Sequence, residues 1–218
     1  MEALLALSEA VEASDPYTRG HSTRVARMAH EVGVRLGCDE SQLDRLLLGG
    51  TLHDIGKLAV RCQVLNKPGP LTAAELREVR AHPEIGARIV GLDSDLREAM
   101  PAVLHHHERW DGGGYPTGRA GTGIPFEARI LGVVDSYDAM TSDRPYRSAL
   151  HTDQAAEEVD RCSGTQFDPD IASAFLDALD SGAFFVTAAL RSAAANGHHA
   201  TTSPRPRASS GRGGSRRR

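Results

Sequence analysis

The stretch Leu43-Asp44-Arg45-Leu46-Leu47-Leu48-Gly49-Gly50-Thr51-Leu52-His53-Asp54-Ile55-Gly56-Lys57 decides the fold. Leu43, Leu46, Leu47 and Gly50 recur at the i, i+3, i+4, i+7 spacing of one helical face, which predicts a helix running into His53-Asp54. Adjacent helical residues point about 100° apart, so His53 and Asp54 can serve one metal cluster only near a helix end. Gly56 is expected to break the helix and supply that end. An aspartate there can bridge two cations through its two oxygens while the imidazole caps one of them. Lys57 sets a positive charge one turn away, suited to a phosphate.

Working outward, Val25, Met28, Ala29, Val32 and Leu36 repeat the helical spacing. Thr72-Ala73-Ala74-Glu75 reads as a capping box opening another helix. Asp168-Pro169 reads as an N-cap with proline at N1, leading into Ile171, Ala174, Phe175, Ala178 and Leu179 on one face. No alternating run of β-branched residues is long enough to nucleate a central sheet, so the sequence predicts an all-α domain. Three passages read as irregular: Asn66 to Pro70, Asp111 to Pro125 with its six glycines, and Ser142 to Tyr146. Long irregular loops in a compact domain are usually functional.

With 218 residues and 40% apolar content, the chain can bury one substantial core. Cys38, Cys62 and Cys162 are odd in number and widely spaced, which argues against a disulfide framework or a thiolate zinc site and fits a reducing compartment. Met1 to Ala13 lacks a basic leader region, and no apolar run approaches the ~20 residues of a membrane span, so a cytoplasmic protein without membrane association is expected. The formal charge is −4, yet Thr187 to Arg218 holds seven arginines and no acid, leaving the rest of the chain near −11. A body that acidic disfavours stable nucleic-acid binding. Residues 1–186 are therefore read as one domain and 187–218 as a basic disordered tail, whose His198 and His199 are decoys.

A second ligand-rich stretch is His105-His106-His107-Glu108-Arg109-Trp110-Asp111-Gly112-Gly113-Gly114-Tyr115-Pro116, where imidazoles and carboxylates adjoin a glycine run read as too flexible for a core. On a continuous helix referenced to Leu96, Met100 and Val103 share the apolar direction. His107 falls within about 20° of it and His106 about 80° to one side, while His105 points toward solvent. His21, one turn before Val25, faces inward, and His30 faces away. His82 before Pro83 fits a helix start from which a ligand can project. Asp135 and Asp138 follow the apolar run Ile130 to Val134, where an acid is costly unless paired or metal-bound. The candidate ligands are thus His21, His53, Asp54, His82, His106, His107 and Asp135. Seven such groups without a thiolate exceed one tetrahedral zinc site and suit two octahedral-type ions, Fe or Mn, sharing Asp54.

The blocks His53-Asp54-Ile55-Gly56-Lys57 and His106 to Pro116 resemble the HD-GYP family of HD-domain phosphohydrolases, bacterial enzymes that hydrolyse cyclic di-GMP. The resemblance runs from about Asp15 to about Leu179. It takes in Gly20-His21-Ser22, Lys67-Pro68-Gly69, His82-Pro83, Asp143-Arg144-Pro145-Tyr146-Arg147 and Gly164 to Pro169. It implies an HD-domain helical bundle with a Gly-rich loop and C-terminal helices, and two divalent ions (Fe or Mn first; Zn, Ni, Co or Mg as alternatives) held by the seven ligands. It also implies cyclic di-GMP hydrolysis to pGpG and onward to GMP by a metal-bridging hydroxide. Asp54 and Lys57 would be catalytic, and Lys57, Tyr115, Asp138, Arg144 and Arg147 would meet the substrate. A diguanylate cyclase or an upstream sensor acting in trans, or a second copy in a homodimer, would be further partners.

Three positions depart from the family pattern. Tyr17 stands where some members carry a glutamate for a third metal, so two metals are expected, and Arg61 and Arg119 replace a proline and an apolar residue near the two loops. The competing readings are an interaction module with vestigial turnover, and a hydrolase of another cyclic dinucleotide or a nucleoside phosphate.

Overall fold

The computed structural model describes residues 6–8, 10–12, 19–143 and 148–184. Tyr17, Arg144, Arg147 and the basic tail lie outside the described residues. Within them the chain is helical, and the only β feature is an isolated bridge between Ser163 and Phe167, so the all-α expectation holds. Among the described residues no helix is long and apolar enough to cross a membrane.

The helices are α1 (His21–Arg35), α2 (Glu40–Leu52), α3 (Cys62–Leu65), α4 (Ala73–Arg80), α5 (His82–Val90), α6 (Met100–His105), α7 (Phe126–Thr141), α8 (Thr152–Arg161) and α9 (Pro169–Asp180). Their starts follow from local chemistry. Asp39 and Gln42 form a capping box at α2, and Thr72 and Glu75 form the expected one at α4. Asp168 caps α9 ahead of Pro169, also as expected. Proline lies in the first turn of α5 and α6, where a missing N–H leaves no helical bond unmade.

Helix α7 is the axis of the bundle and packs against α1, α2, α6, α8 and α9. Around it lies the larger core, with Val25, Val32, Leu46, Ile130, Leu131, Ile171 and Phe175 essentially solvent-free. Burying each such side chain is worth about 1.5–3 kcal/mol. Gly50, expected only as a small residue on the α2 stripe, has a sharper reason to be there. A Cβ at this position would fall 2.5 Å from Ala26 Cα, so glycine lets the α1 and α2 backbones touch.

A smaller core groups Leu52, Ile55, Val90, Leu96, Ala99 and Val103. It contains the residue just before His53 and one three before His106. The candidate ligands therefore emerge at the seam between the two apolar clusters.

The continuous helix assumed from Leu96 to His107 is not present. A 3-10 turn at Arg97–Ala99 precedes α6, which ends at His105. The angular placement of the three histidines from Leu96 therefore loses its basis.

Candidate metal centre and cleft

Helix α2 ends at Leu52, His53 is its C-cap and Asp54 opens a 3-10 turn over Ile55–Ala59. The two neighbours are splayed at a helix end, as their adjacency required. Gly56 is not the residue that stops α2, because it lies inside the 3-10 turn. A Cβ there would lie 1.9 Å from the His82 carbonyl oxygen and 2.6 Å from Gly86 N, so its role is to let the turn press against the start of α5. That contact brings His82 to Asp54.

All seven candidate ligands converge. His21 Nε2 lies 3.3 Å from both His53 Nε2 and Asp135 Oδ1. His82 Nε2 lies 3.3 Å from both His106 Nε2 and Asp54 Oδ1. The His107 ring is 4.0 Å from that of His106 and 5.0 Å from that of His82, centroid to centroid. Asp54 divides its oxygens: Oδ1 faces His82, while Oδ2 lies 3.6 Å from His53 Nε2 and 3.9 Å from His21 Nε2. Ligand atoms of His21, His53 and Asp54 form one group that could hold a metal ion, and those of His82, His106 and His107 form a second.

The donor set fits cations on a chemical test. Nδ1 of His53, His82 and His106 lies 2.7–2.8 Å from the carbonyl oxygens of Gly50, Val79 and Val103. A carbonyl only accepts, so each Nδ1 carries a hydrogen and Nε2 is the nitrogen turned inward, the one available to ligate. His21 Nδ1 is likewise bound to Asp138 Oδ2 at 2.7 Å. Backbone carbonyls and carboxylates on the distal ring nitrogen are the usual support of a metal-binding histidine.

Electrostatics sharpen the picture. Burial pulls His53 and His106 below the usual imidazole range, with His107 and His53 adding to the effect on His106. Burial also brings His107 down to about 4, so these rings are neutral at pH 7. Asp54, although burial opposes ionisation, is held well below the usual carboxylate range by Lys57, His53 and His82. Asp135 is half-buried, which opposes ionisation, but it is lowered by the His21 hydrogen bond and the surrounding histidines. His21 is the exception: burial lowers it, but hydrogen bonds to Asp135 and Asp138 outweigh that and raise it to about 9. Without a cation, that ring holds a proton where a metal would sit.

The other expected site residues are placed as follows. Lys57 Nζ lies 2.5 Å from Asp54 Oδ2, at the cluster rather than out toward solvent. Tyr115 stacks on His107 at 4.9 Å and 31°, with the Arg80 guanidinium 5.1 Å from its ring centre. Asp138, expected to meet substrate, is buried with both oxygens engaged by Arg24 and His21. His30 is half-buried beside Glu31, away from the site.

His105 corrects the sequence reading. It is only 4% exposed, with Nδ1 3.5 Å from Glu108 Oε1, because α6 is short and its last turn is packed on all sides. It lies beside Glu108, and Glu108 is the residue that holds the glycine loop. Buried Glu108 accepts from Thr117 N and Oγ1 at 2.7 Å and from Arg119 N at 3.2 Å. The run is not loose either. A Cβ on Gly114 would meet Arg109 N at 2.4 Å, so that glycine is there for close packing.

A cleft of about 450 Å³ opens over His21, Asp54, Lys57, His107 and Asp135 and extends along Ser136, Ala139 and Met140 to Glu158, Cys162 and Gln166. Sequence reasoning did not single out its far wall. Gln166 bonds Ser136 Oγ and Arg109, and the backbone N–H groups of Trp110 and Asp111 donate to the carbonyls of Gln166 and Thr165. The glycine loop and the approach to α9 are thus stitched together, a long-range pairing with no local signature.

The HD-domain family profile matches residues 6–171. The chain is 41% identical over 181 residues to a cyclic di-GMP phosphodiesterase of Pseudomonas aeruginosa, covering 81% of this chain and 42% of that protein. It is 37% identical over 177 residues to the cyclic di-GMP phosphodiesterase response regulator RpfG of Xanthomonas campestris, covering 80% and 47%. A 3'3'-cGAMP-specific phosphodiesterase of Vibrio cholerae is 37% identical over 175 residues, covering 80% and 38%. The chain spans less than half the length of these curated relatives. Among solved structures, a cyclic GMP-AMP phosphodiesterase of V. cholerae superposes with a TM-score of 0.64 at 19% identity, covering 84% of this chain and 49% of that one. The HD domain of L. monocytogenes PgpH, solved with cyclic-di-AMP, does so at 0.58 and 18%, covering 83% and 97%. At those identities the likeness is one of fold. From the matched profile, the relatives and the His53-Asp54 and Gly114-Tyr115-Pro116 blocks together, the chain belongs to the HD-domain family, in its HD-GYP branch.

Proposed function

We propose that this chain is the catalytic unit of a metal-dependent phosphodiesterase that hydrolyses cyclic di-GMP to linear pGpG, with GMP as the further product. The observation that carries the reading is the convergence of seven imidazole and carboxylate groups at the floor of one cleft, with Asp54 facing both halves of the cluster. His21, His53, Asp54 and Asp135 would hold one ion and His82, His106, His107 and Asp54 a second. Iron or manganese suits that mixture of nitrogen and oxygen donors. Bound divalent ions supply Lewis-acid charge and acidify water.

The chain's own residues bind and orient. Lys57 puts positive charge at the cleft floor, where phosphoryl oxygens gather charge during attack. Tyr115, stacked on His107 of the cleft lining, would meet the substrate, and Arg144 and Arg147 would add cationic contacts to phosphate or base. In the reaction a water oxygen bonds to phosphorus, the bond to the ribose 3′ oxygen breaks, and that oxygen takes up a proton. A cytoplasmic setting supplies both the substrate and a reducing medium for three free cysteines. Residues 1–186 would carry this activity and 187–218 would form a basic tail, with regulation by a sensor or a diguanylate cyclase in trans, and with a homodimer compatible.

The relatives that act on 3'3'-cGAMP favour a second reading, in which the mixed dinucleotide is the substrate. One experiment tests both. Protein loaded with Mn²⁺ or Fe²⁺, its metal content measured, is incubated with cyclic di-GMP, 3'3'-cGAMP and cyclic di-AMP, and products are separated by chromatography. Linear pGpG from cyclic di-GMP supports the proposal, and preferential cleavage of the mixed dinucleotide replaces it by the second reading. Metal-loaded protein that cleaves none of them ends both.

A further inference from the structure

His21 is held from two sides by residues that no ligand role accounts for. On the ring side, Arg24 lies three residues further along α1 and donates Nε to Asp138 Oδ1 at 2.6 Å and Nη2 to Asp138 Oδ2 at 2.9 Å. Asp138 Oδ2 in turn accepts from His21 Nδ1 at 2.7 Å. Asp138 is 3% exposed, so its charge is carried inside the bundle by that two-point pairing. On the backbone side, Glu12 accepts from Gly20 N at 2.7 Å and Ser22 N at 2.6 Å, capping the first turn of α1, where Gly20 offers no side chain.

The ring held this way has a single free direction. With Nδ1 fixed on a carboxylate, His21 presents Nε2 toward His53 Nε2 and Asp135 Oδ1, both at 3.3 Å. The other three ligand imidazoles with a described Nδ1 bond use backbone carbonyls of their own helices or of an adjoining turn, at residues three positions earlier. His21 instead uses a carboxylate that is itself held by an arginine of the same helix.

We infer that Arg24 and Asp138 are positioning residues that lock the rotamer and tautomer of His21 for the ion on the His21–His53–Asp54 side, and that Asp138 is not a substrate contact. The inference rests on the metal reading of the site, but not on the identity of the substrate. The second group, His82, His106 and His107, takes no bond from Arg24 or Asp138, so the effect is confined to one ion. Losing an outer partner of a ligand histidine typically weakens metal binding about 10–100-fold.

The probe is Mn²⁺ alone. In wild type, two ions per chain are expected, with the electron paramagnetic resonance of a spin-coupled pair. Arg24→Gln should weaken one of the two ions about 10–100-fold in a competition titration and yield the six-line signal of isolated Mn²⁺, with Arg24→Lys intermediate. Asp138→Asn, which keeps the side-chain shape, should do the same and serves if Arg24→Gln does not fold. A merely structural role would lower the melting temperature without this selective loss. Folded variants that retain two coupled ions at wild-type affinity, or that lose both ions equally, overturn the inference. Wild type that binds no Mn²⁺, Fe²⁺ or Zn²⁺ overturns the metal reading beneath it, whereas metal binding without dinucleotide turnover overturns only the proposed function.

Discussion

Nε2 of His82 lies 3.3 Å from Nε2 of His106, and the Nδ1 of each ring is directed at a backbone carbonyl. Asp54 Oδ1 joins them at 3.3 Å from His82. Three electron-rich atoms thus face one another in a place almost closed to water, with His82 and His106 each 1% exposed. Buried polar atoms without donors are costly, and a cation is the species that would satisfy all three at once.

Stability should therefore depend on metal. A ligand that binds only the folded state stabilises it by about 2.7 kcal/mol at a free concentration one hundred times Kd, which for a domain of this size moves the melting temperature by several degrees. Mn²⁺ or Fe²⁺ added to chelator-treated protein should raise the melting temperature, and fresh chelator should reverse it. Melting curves that superimpose in all three conditions would show that the cluster binds no ion.

The metal-free protein should have its own pH optimum. His21 is raised to about 9 from 6.5, so the stability it contributes is complete below about 6.5 and is lost as pH rises through 9. His107 is lowered from 6.5 to about 4, so its contribution is present above 6.5 and is lost as pH falls toward 4. With chelator present, the melting temperature should peak near neutrality and decline on both sides between pH 5 and 10. His21→Gln should flatten the alkaline decline selectively. An alkaline limb of equal depth in that variant would assign the decline to other groups.

Gly56→Ala is expected to be severe. Its methyl would sit 1.9 Å from the His82 carbonyl oxygen, a rigid backbone atom, and 2.6 Å from Gly86 N. Forced overpacking of this kind costs about 1–3 kcal/mol and occasionally more. Because the displaced element carries His82, metal affinity should fall along with the melting temperature. A variant with a lowered melting temperature and wild-type metal affinity would show that the contact holds the fold without placing the ligand.

The parts legible in the sequence are those governed by local chemistry. The helical faces, the Thr72–Glu75 capping box, the Asp168 N-cap and the splayed His53-Asp54 pair depend on residues within one or two turns of each other. All seven candidate ligands also meet in space, although the angular argument for His106 and His107 assumed a helix that is broken at Arg97–Ala99. The burial of His105 and the pairing of Asp138 with Arg24 are not legible in the sequence, because each depends on a neighbour, Glu108 or Arg24, whose contact periodicity does not encode. At Gly56 and Gly114 the local pattern signals a break or flexibility, whereas their close backbone approach depends on a second segment absent from any local pattern.

Glu108 offers the sharpest test of how the glycine loop is held. Its carboxylate accepts from Thr117 N, Thr117 Oγ1 and Arg119 N while its side chain is fully buried, with the His105 ring beside it. Glu108→Gln keeps the shape but turns one acceptor oxygen into a donor, which must then face an N–H of the loop or the His105 ring. Leaving a buried donor unpaired costs about 1–3 kcal/mol. The stitching from Trp110 and Asp111 to residues 165–166 should survive, because it is made by backbone groups elsewhere. Loosening should therefore be confined to residues 112–119, and with them to Tyr115 on His107. Hydrogen exchange should speed up at Thr117 and Arg119 while Trp110 and Asp111 stay protected. Uniform exchange across residues 110–119 would mean that the loop opens as one piece and that Glu108 is not its anchor.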